Sequence, residues 1–273
     1  MTGGGDDSRA DREAAAAPGA LAPGDPWRAL RAATSARVGL GRRGDAAPIG
    51  AVLDFQLAHA KARDAVHLPL DLDALQADLS PVEALRLESE APDRTTYLRR
   101  PDLGRRLAEG SRAALAQAGQ GFDIAFVIAD GLSATAVQRH AAPLLKAALA
   151  RLQGFSVAPL VIGSQARVAF GDDVGEALGA RLAVVLIGER PGLSVAESLG
   201  VYLTFDPRRG RRDHERNCIS NVHGLGGLSY AQAADKLAWL ARQALARGLT
   251  GVGLKDDAPQ AELGPTQETP RLE

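Results

Sequence analysis

A single cysteine, Cys218, among 273 residues leaves the chain without a disulfide framework and without a multi-cysteine zinc or iron–sulfur site of its own. An excess of charge of either sign is also missing. The 32 basic and 33 acidic side chains give a formal net charge of −1, which lacks the basic surplus of polyanion-binding proteins and argues against nucleic acid as a partner. No apolar run approaches the roughly 18 residues that span a bilayer. Residues 1–25 carry early acids and no apolar core, unlike a secretory signal. Aromatics make up only 4% of the chain although 45% of it is apolar, so Ala, Leu and Val must build the core. Together these absences predict a soluble, intracellular, folded protein with no membrane partner. Lysine is nearly absent as well: four lysines stand against 28 arginines. A GC-rich genome accounts for that bias, and selection of the planar guanidinium for anion recognition is the alternative.

What is present divides the chain into four stretches. Residues 1–25, rich in Gly, Ala and Pro, and residues 256–273, with three prolines and five acids, read as disordered tails. Residues 26–120 read as a helical N-terminal part. Trp27, Leu30 and Val38 mark a first stripe, Ile49, Val52, Leu53 and Leu57 a second, and a third helix starts at Pro101 and Asp102. The pattern then changes. Apolar runs at 123–129, 157–162, 182–187 and 199–205 alternate with helical patterns at 133–152 and 172–178, and a long amphipathic segment follows from Tyr230 to Leu245. That alternation predicts an α/β fold, in which residues 121–255 form a three-layer, Rossmann-like domain with a mostly parallel sheet. In such sheets, ligands bind beyond the carboxyl ends of the strands.

Several strand ends carry residues suited to binding. Asp130-Gly131-Leu132-Ser133 is either a tight turn with a serine cap or a phosphate cradle at a helix start, though it is no G-x-G-x-x-G fingerprint. Residues 188–192 (GERPG) suit a ligand-contacting loop, with a solvated turn as the alternative. Residues 217–227 gather polar side chains and glycine around Cys218, which reads as a small packing residue rather than a nucleophile. The five histidines show no metal-binding spacing, and no metal ligand is assigned. Asp172 and Asp173 read as acids favoured at a helix start, and the run 208–212 (RRGRR) as a solvated loop. No constellation for substrate chemistry is visible, so no catalytic residue is assigned.

Read in order, residues 36–42 (ARVGLGR), 53–60 (LDFQLAHA), 61–66 (KARDAV), 97–106 (YLRRPDLGRR), 128–133 (IADGLS), 180–192 and 218–223 (CISNVH) resemble the small subunit of ethanolamine ammonia-lyases. These are adenosylcobalamin-dependent bacterial enzymes. The resemblance implies a non-autonomous subunit that helps to bind adenosylcobalamin. Its partner would be a large TIM-barrel subunit that binds ethanolamine and converts it to acetaldehyde and ammonia by a radical route. It also implies cobalamin contacts at Val168, Glu189 and Cys218. Val168 would offer apolar surface, Glu189 would accept hydrogen bonds from corrin amides, and Cys218 would pack where a larger residue clashes. The implied location is the cytoplasm, with a bacterial microcompartment as a further option. Residues 221–226 (NVHGLG) approach the D-x-H-x-x-G pattern that supplies histidine to cobalt in another cobalamin class. Asparagine stands where the orienting carboxylate would be, which argues against His223 as a ligand.

Overall fold

The structure, a computed structural model, describes residues 25–257. The tails expected at 1–25 and 256–273 lie outside that range except for residues 25, 256 and 257. The chain divides into two compact units between Lys61 and Ala62.

In the first unit, helix α1 spans Arg28–Ala33 and buries no residue. Helix α2, Ile49–His67, starts after Pro48 and runs past the division; Ala65 is its only buried residue. Trp27, Leu30, Leu40, Ile49, Leu53, Phe55 and Leu57 are large apolar side chains left exposed.

The second unit holds α3 (Leu72–Leu79), β1 (Ala84–Glu88), α4 (Arg94–Arg99), α5 (Glu109–Leu115), β2 (Ile124–Ala129), α6 (Ala134–Arg151), β3 (Leu160–Ser164), α7 (Phe170–Ala177), β4 (Leu182–Gly188), β5 (Leu199–Phe205), β6 (Asn217–Val222) and α8 (Tyr230–Arg247). The six strands form one sheet in the order β1-β3-β2-β4-β5-β6. β1–β3, β3–β2 and β2–β4 pair in parallel, and β4–β5 and β5–β6 antiparallel. Every residue of β2 and β4 is buried, as their unbroken apolar runs predict. Ile124, Phe126 and Ile128 pack on one side with α3, α6 and α8, while Ala125, Val127 and Ala129 pack on the other with α5 and α7. The α/β fold with helices on both faces of a mostly parallel sheet is therefore present.

Local departures from the sequence reading have physical causes. Residues 84–88 form a strand within the stretch that the sequence pattern predicts to be a helical N-terminal part. As the outermost strand β1 buries Leu87 and leaves Arg86 and Glu88 exposed, so it lacks a continuous apolar run. β6 lies in the stretch that gathers polar side chains; only Ile219 and Val222 of its residues are buried. The helix expected from Pro101 onward is broken at residues 106–108. There the backbone turns to β1, with Ala108 N–H donating to Glu88 O at 3.0 Å and Leu107 N–H to Asp173 Oδ2 at 3.1 Å. β5 runs antiparallel because the connection 189–198 contains no crossover helix. Opposite β6 its register shifts between Leu199 and Val201, so that Ser220 and Asn221 together face Gly200, and Asn221 adopts φ +60°.

The acids at the start of α7 also do more than favour the helix dipole. Asp172 receives both Nη atoms of Arg216 at 2.6 and 2.7 Å, with each side chain 2% exposed. Asp173 pairs with Arg209 at 2.5 Å and Arg112 at 3.3 Å. The arginine run 208–212 is thus ion-paired as well as largely exposed to solvent; Arg208 and Arg211 also meet Asp206, and Arg211 meets Glu215.

On the opposite face, His140 of α6 is 4% exposed and its Nδ1 lies 2.8 Å from the Tyr230 hydroxyl. Burial, reinforced by Arg139, holds its pKa below the ordinary 6.5. The folded protein then binds fewer protons than the unfolded chain once the pH drops below that value, so this part of the stability is complete above it and is lost as the pH falls. Urea unfolding between about pH 7.5 and about pH 5.5 should register the loss, and His140→Gln should flatten the profile. An unaltered slope in that variant would assign the effect elsewhere.

Candidate functional site

The carboxyl ends of β2 and β4 lie side by side, and the connections that leave this part of the sheet run in opposite directions: α6 carries the chain to β3, and α7 carries it back to β4. This is the topological switch point at which open α/β sheets place their ligands. A cleft of about 440 Å³ opens there, lined by Tyr97, Gly131, Arg167, Val168, Glu189 and Tyr202 among others. A second hollow of about 390 Å³ shares Arg167, Val168 and Tyr202 and continues toward Arg105 and Asp213.

The turn after β2 builds the floor. Asp130 is 4% exposed and accepts the backbone N–H groups of Gly131, Gln165 and Ala166, each at 2.9 Å. Arg94 approaches it at 3.5 Å. Burial drives the pKa of this carboxyl upward, against the amides and Arg94. Gly131 has φ +60°, and a Cβ there would meet Gly188 O at 2.3 Å, so the turn and the end of β4 touch through backbone alone. Ser133 caps α6 by accepting from Ala136 N–H and donates to Ala196 O at 3.1 Å. The Asp-Gly-Leu-Ser segment is accordingly a capped tight turn, one of the two readings open from sequence, with its polar groups already engaged.

Two of the sequence-assigned residues line the cleft directly. Val168 follows β3 and packs partly against the core cluster of Ala125, Val127 and Phe170. Glu189 sits at the end of β4, where its Oε2 accepts from Ser198 Oγ at 2.5 Å and from Asn221 N–H at 3.3 Å. Its side chain lies against Gly200, and no donor among the described residues bonds its Oε1. Cys218 does not line the cleft itself; it is the cross-strand partner of Tyr202, which does. The residue is exposed, yet desolvation of its sulfur, helped by the charge of Glu189, raises the thiol pKa, while the Tyr202 hydroxyl opposes the rise. A protonated thiol is a poor nucleophile, in keeping with a packing role. Burial also raises the pKa of Tyr202 and keeps its hydroxyl a donor.

No sequence motif marks Tyr97, Arg167 or Tyr202 as site residues. Tyr97 is completely buried, and the guanidinium groups of Arg94 and Arg167 lie over its ring at 4.7 and 4.3 Å from the centroid. Tyr202 belongs to a strand whose alternation turns it toward the cleft while Val201 and Leu203 enter the core. The adjacency of Arg167 to Val168 was the one available signal. Among the described residues, no group of three or more His, Cys, Asp or Glu side chains is placed to hold a metal ion, and His223 Nδ1 accepts Leu225 N–H at 3.2 Å. No helix among them is long and apolar enough to cross a membrane.

Comparison with known proteins adds a relationship to this geometry. The family model described as "Ethanolamine ammonia-lyase light chain (EutC)" matches residues 24–255. A protein of Azotobacter vinelandii named "Ethanolamine ammonia-lyase small subunit" is 56% identical over 247 residues, covering 88% of this chain and 91% of the relative. Proteins of the same name are similar at 54% identity. The one from Xanthomonas campestris pv. campestris aligns over 250 residues, 89% of this chain and 92% of the relative. The one from Pseudomonas putida aligns over 244 residues, 86% and 89% respectively.

Proposed function

We propose, from the premise that this chain belongs to the ethanolamine ammonia-lyase light-chain family, that its cleft forms one side of an adenosylcobalamin site closed by the large subunit. The chain is the small subunit of a lyase, and a small subunit implies a large one. The observation that supports the cofactor reading most is the convergence of Val168, Glu189 and the Tyr202–Cys218 pair on the cleft at the switch point. Their chemistry fits a corrin. Its rim carries amide side chains, and Glu189, whose Oε2 is held by Ser198, keeps Oε1 unused to receive an amide N–H. Val168 supplies apolar surface beside it, and the small Cys218 leaves room next to Tyr202. When bound, the cofactor supplies the radical that initiates conversion of ethanolamine to acetaldehyde and ammonia. This chain's residues bind the corrin, orient it and exclude water from one side of it. Substrate groups belong to the partner, so the chain by itself is inactive. We place the complex in the cytoplasm, with a microcompartment as a further location.

The experiment is cobalamin titration of the complete small–large complex. Glu189→Ala should weaken binding by about 1–3 kcal/mol, a shift of roughly 5- to 150-fold, as for other hydrogen bonds to a charged group. An unchanged affinity would take Glu189 out of the site. Deamination by the isolated chain would overturn the division of labour. The apolar residues left exposed in the first unit, above all Ile49, Leu53 and Leu57, face the large subunit in this reading.

A further inference from the structure

We propose that Arg167 is the anion-binding residue of this cleft and that it receives the phosphodiester of the cofactor's nucleotide arm. The assignment rests on the cofactor reading above and adds a subsite to it. Arginine stays charged at every physiological pH and carries five N–H donors. In this cleft most of them are unused. Nη2 donates to Tyr97 O at 3.2 Å, whereas Nε is buried without a hydrogen-bond partner. No carboxylate among the described residues forms an ion pair with it, which distinguishes it from its neighbours. Arg94 meets Asp130, Arg105 meets Asp213, Arg209 meets Asp173 and Arg216 meets Asp172. A partly buried charge without a counter-charge is costly, and the cost is removed when an anion arrives.

The guanidinium is also held in place before any ligand comes. It stacks on the buried Tyr97 ring at 4.3 Å, and the backbone N–H of Arg167 donates to Gly104 O at 2.7 Å. A Cβ at Gly104 would come within 2.9 Å of the Tyr97 ring and 3.0 Å of Arg167 Cγ, so the glycine admits both side chains. A stacked, immobilised guanidinium with free donors suits a bidentate contact to phosphate oxygens. Arg190 is exposed on the rim of the same cleft and forms no ion pair among the described residues, which adds a second positive charge nearby. The phosphodiester is the one anionic group on a cobalamin; the corrin's own arms are neutral amides. Cobinamide keeps the corrin and lacks the nucleotide and its phosphate.

The test compares cyanocobalamin with dicyanocobinamide, each titrated by visible absorbance into the complete small–large complex carrying wild-type chain, Arg167→Gln, Arg167→Lys or Glu189→Ala. Arg167→Gln should lower cyanocobalamin affinity about 10- to 100-fold and leave cobinamide affinity within about twofold, with Arg167→Lys intermediate for cyanocobalamin alone. Equal losses for both ligands in both Arg167 variants, or no loss for either, would overturn the phosphate assignment while Glu189→Ala still weakened both ligands. Indifference of both ligands to all three variants would instead overturn the cofactor reading. Assembly with the large subunit, followed by sedimentation, checks that each variant is folded; the lysine variant, which keeps the charge and the stem, carries the test if the glutamine variant does not assemble.

Discussion

Replacing Arg216 with methionine is expected to lower the unfolding free energy by about 3–5 kcal/mol, the usual consequence of removing one partner from a buried ion pair. Arg216 and Asp172 are each 2% exposed at the side chain and meet through two hydrogen bonds. Arg216 Nη1 also donates to Thr204 Oγ1 at 2.8 Å, and Nη2 to Arg211 O at 2.9 Å, so one guanidinium joins α7, β5 and the arginine-rich loop. Without it, Asp172 is left as an uncompensated charge in the core. The double variant Asp172→Leu, Arg216→Met removes both charges and should recover most of the loss. A double variant as unstable as the single one would show that packing, not charge, sets the cost.

The pH dependence gives a second handle. Burial pushes the Asp172 pKa up, and Arg216 is the main force against it. In the single variant that opposition is gone and the folded state takes up a proton at a higher pH than the unfolded chain. A group whose folded pKa is raised contributes stability below it that is lost as pH rises through it. The gap between Arg216→Met and the wild-type protein should therefore narrow as pH falls from about 7 toward about 5, read by urea unfolding of both.

The second large effect concerns assembly. Changing Leu53 and Leu57 together to aspartate should weaken association with the large subunit by on the order of 100-fold or more. Burial of each leucine is worth about 1.5–3 kcal/mol. Ile49, Leu53 and Leu57 recur every fourth residue of α2 and are 73%, 56% and 56% exposed. Val52 extends the same stripe, whereas Phe55 and Ala62 lie on the other side of the helix. An apolar stripe of this kind faces a packing partner. Sedimentation of mixed subunits would measure the change. Unaltered association would move the interface away from this helix.

The centre of the sheet was readable because burial on both faces writes itself as uninterrupted apolar sequence. Ile124 to Ala129 and Leu199 to Phe205 stand within a residue of where the runs place them. The outermost strands were not, since β1 alternates Leu87 with Arg86 and Glu88, and β6 buries two residues. Short helices α3 and α4 were missed although Asp71 and Asp93 cap them through Ala74 and Thr96 N–H, because eight or six residues give too few turns for a periodic stripe. At the site, the resemblance supplied Val168, Glu189 and Cys218, two of which line one cleft. Tyr97 and Arg167 lay beyond sequence reasoning for another reason. Their meeting joins residues 70 positions apart, and nothing local marks an arginine whose counter-charge is missing.

The bulge opposite Gly200 also bears on how this chain behaves before it finds a partner. A long, flat edge strand is a template for the edge of another molecule, and its free N–H and C=O groups invite fibril growth. On β6 the left-handed Asn221 interrupts that row one residue after Ser220, and the extra residue twists the edge away from planarity. At the opposite margin β1 is only five residues long and presents Arg86 and Glu88. Both margins therefore discourage strand addition, which keeps an unassembled subunit from recruiting copies of itself.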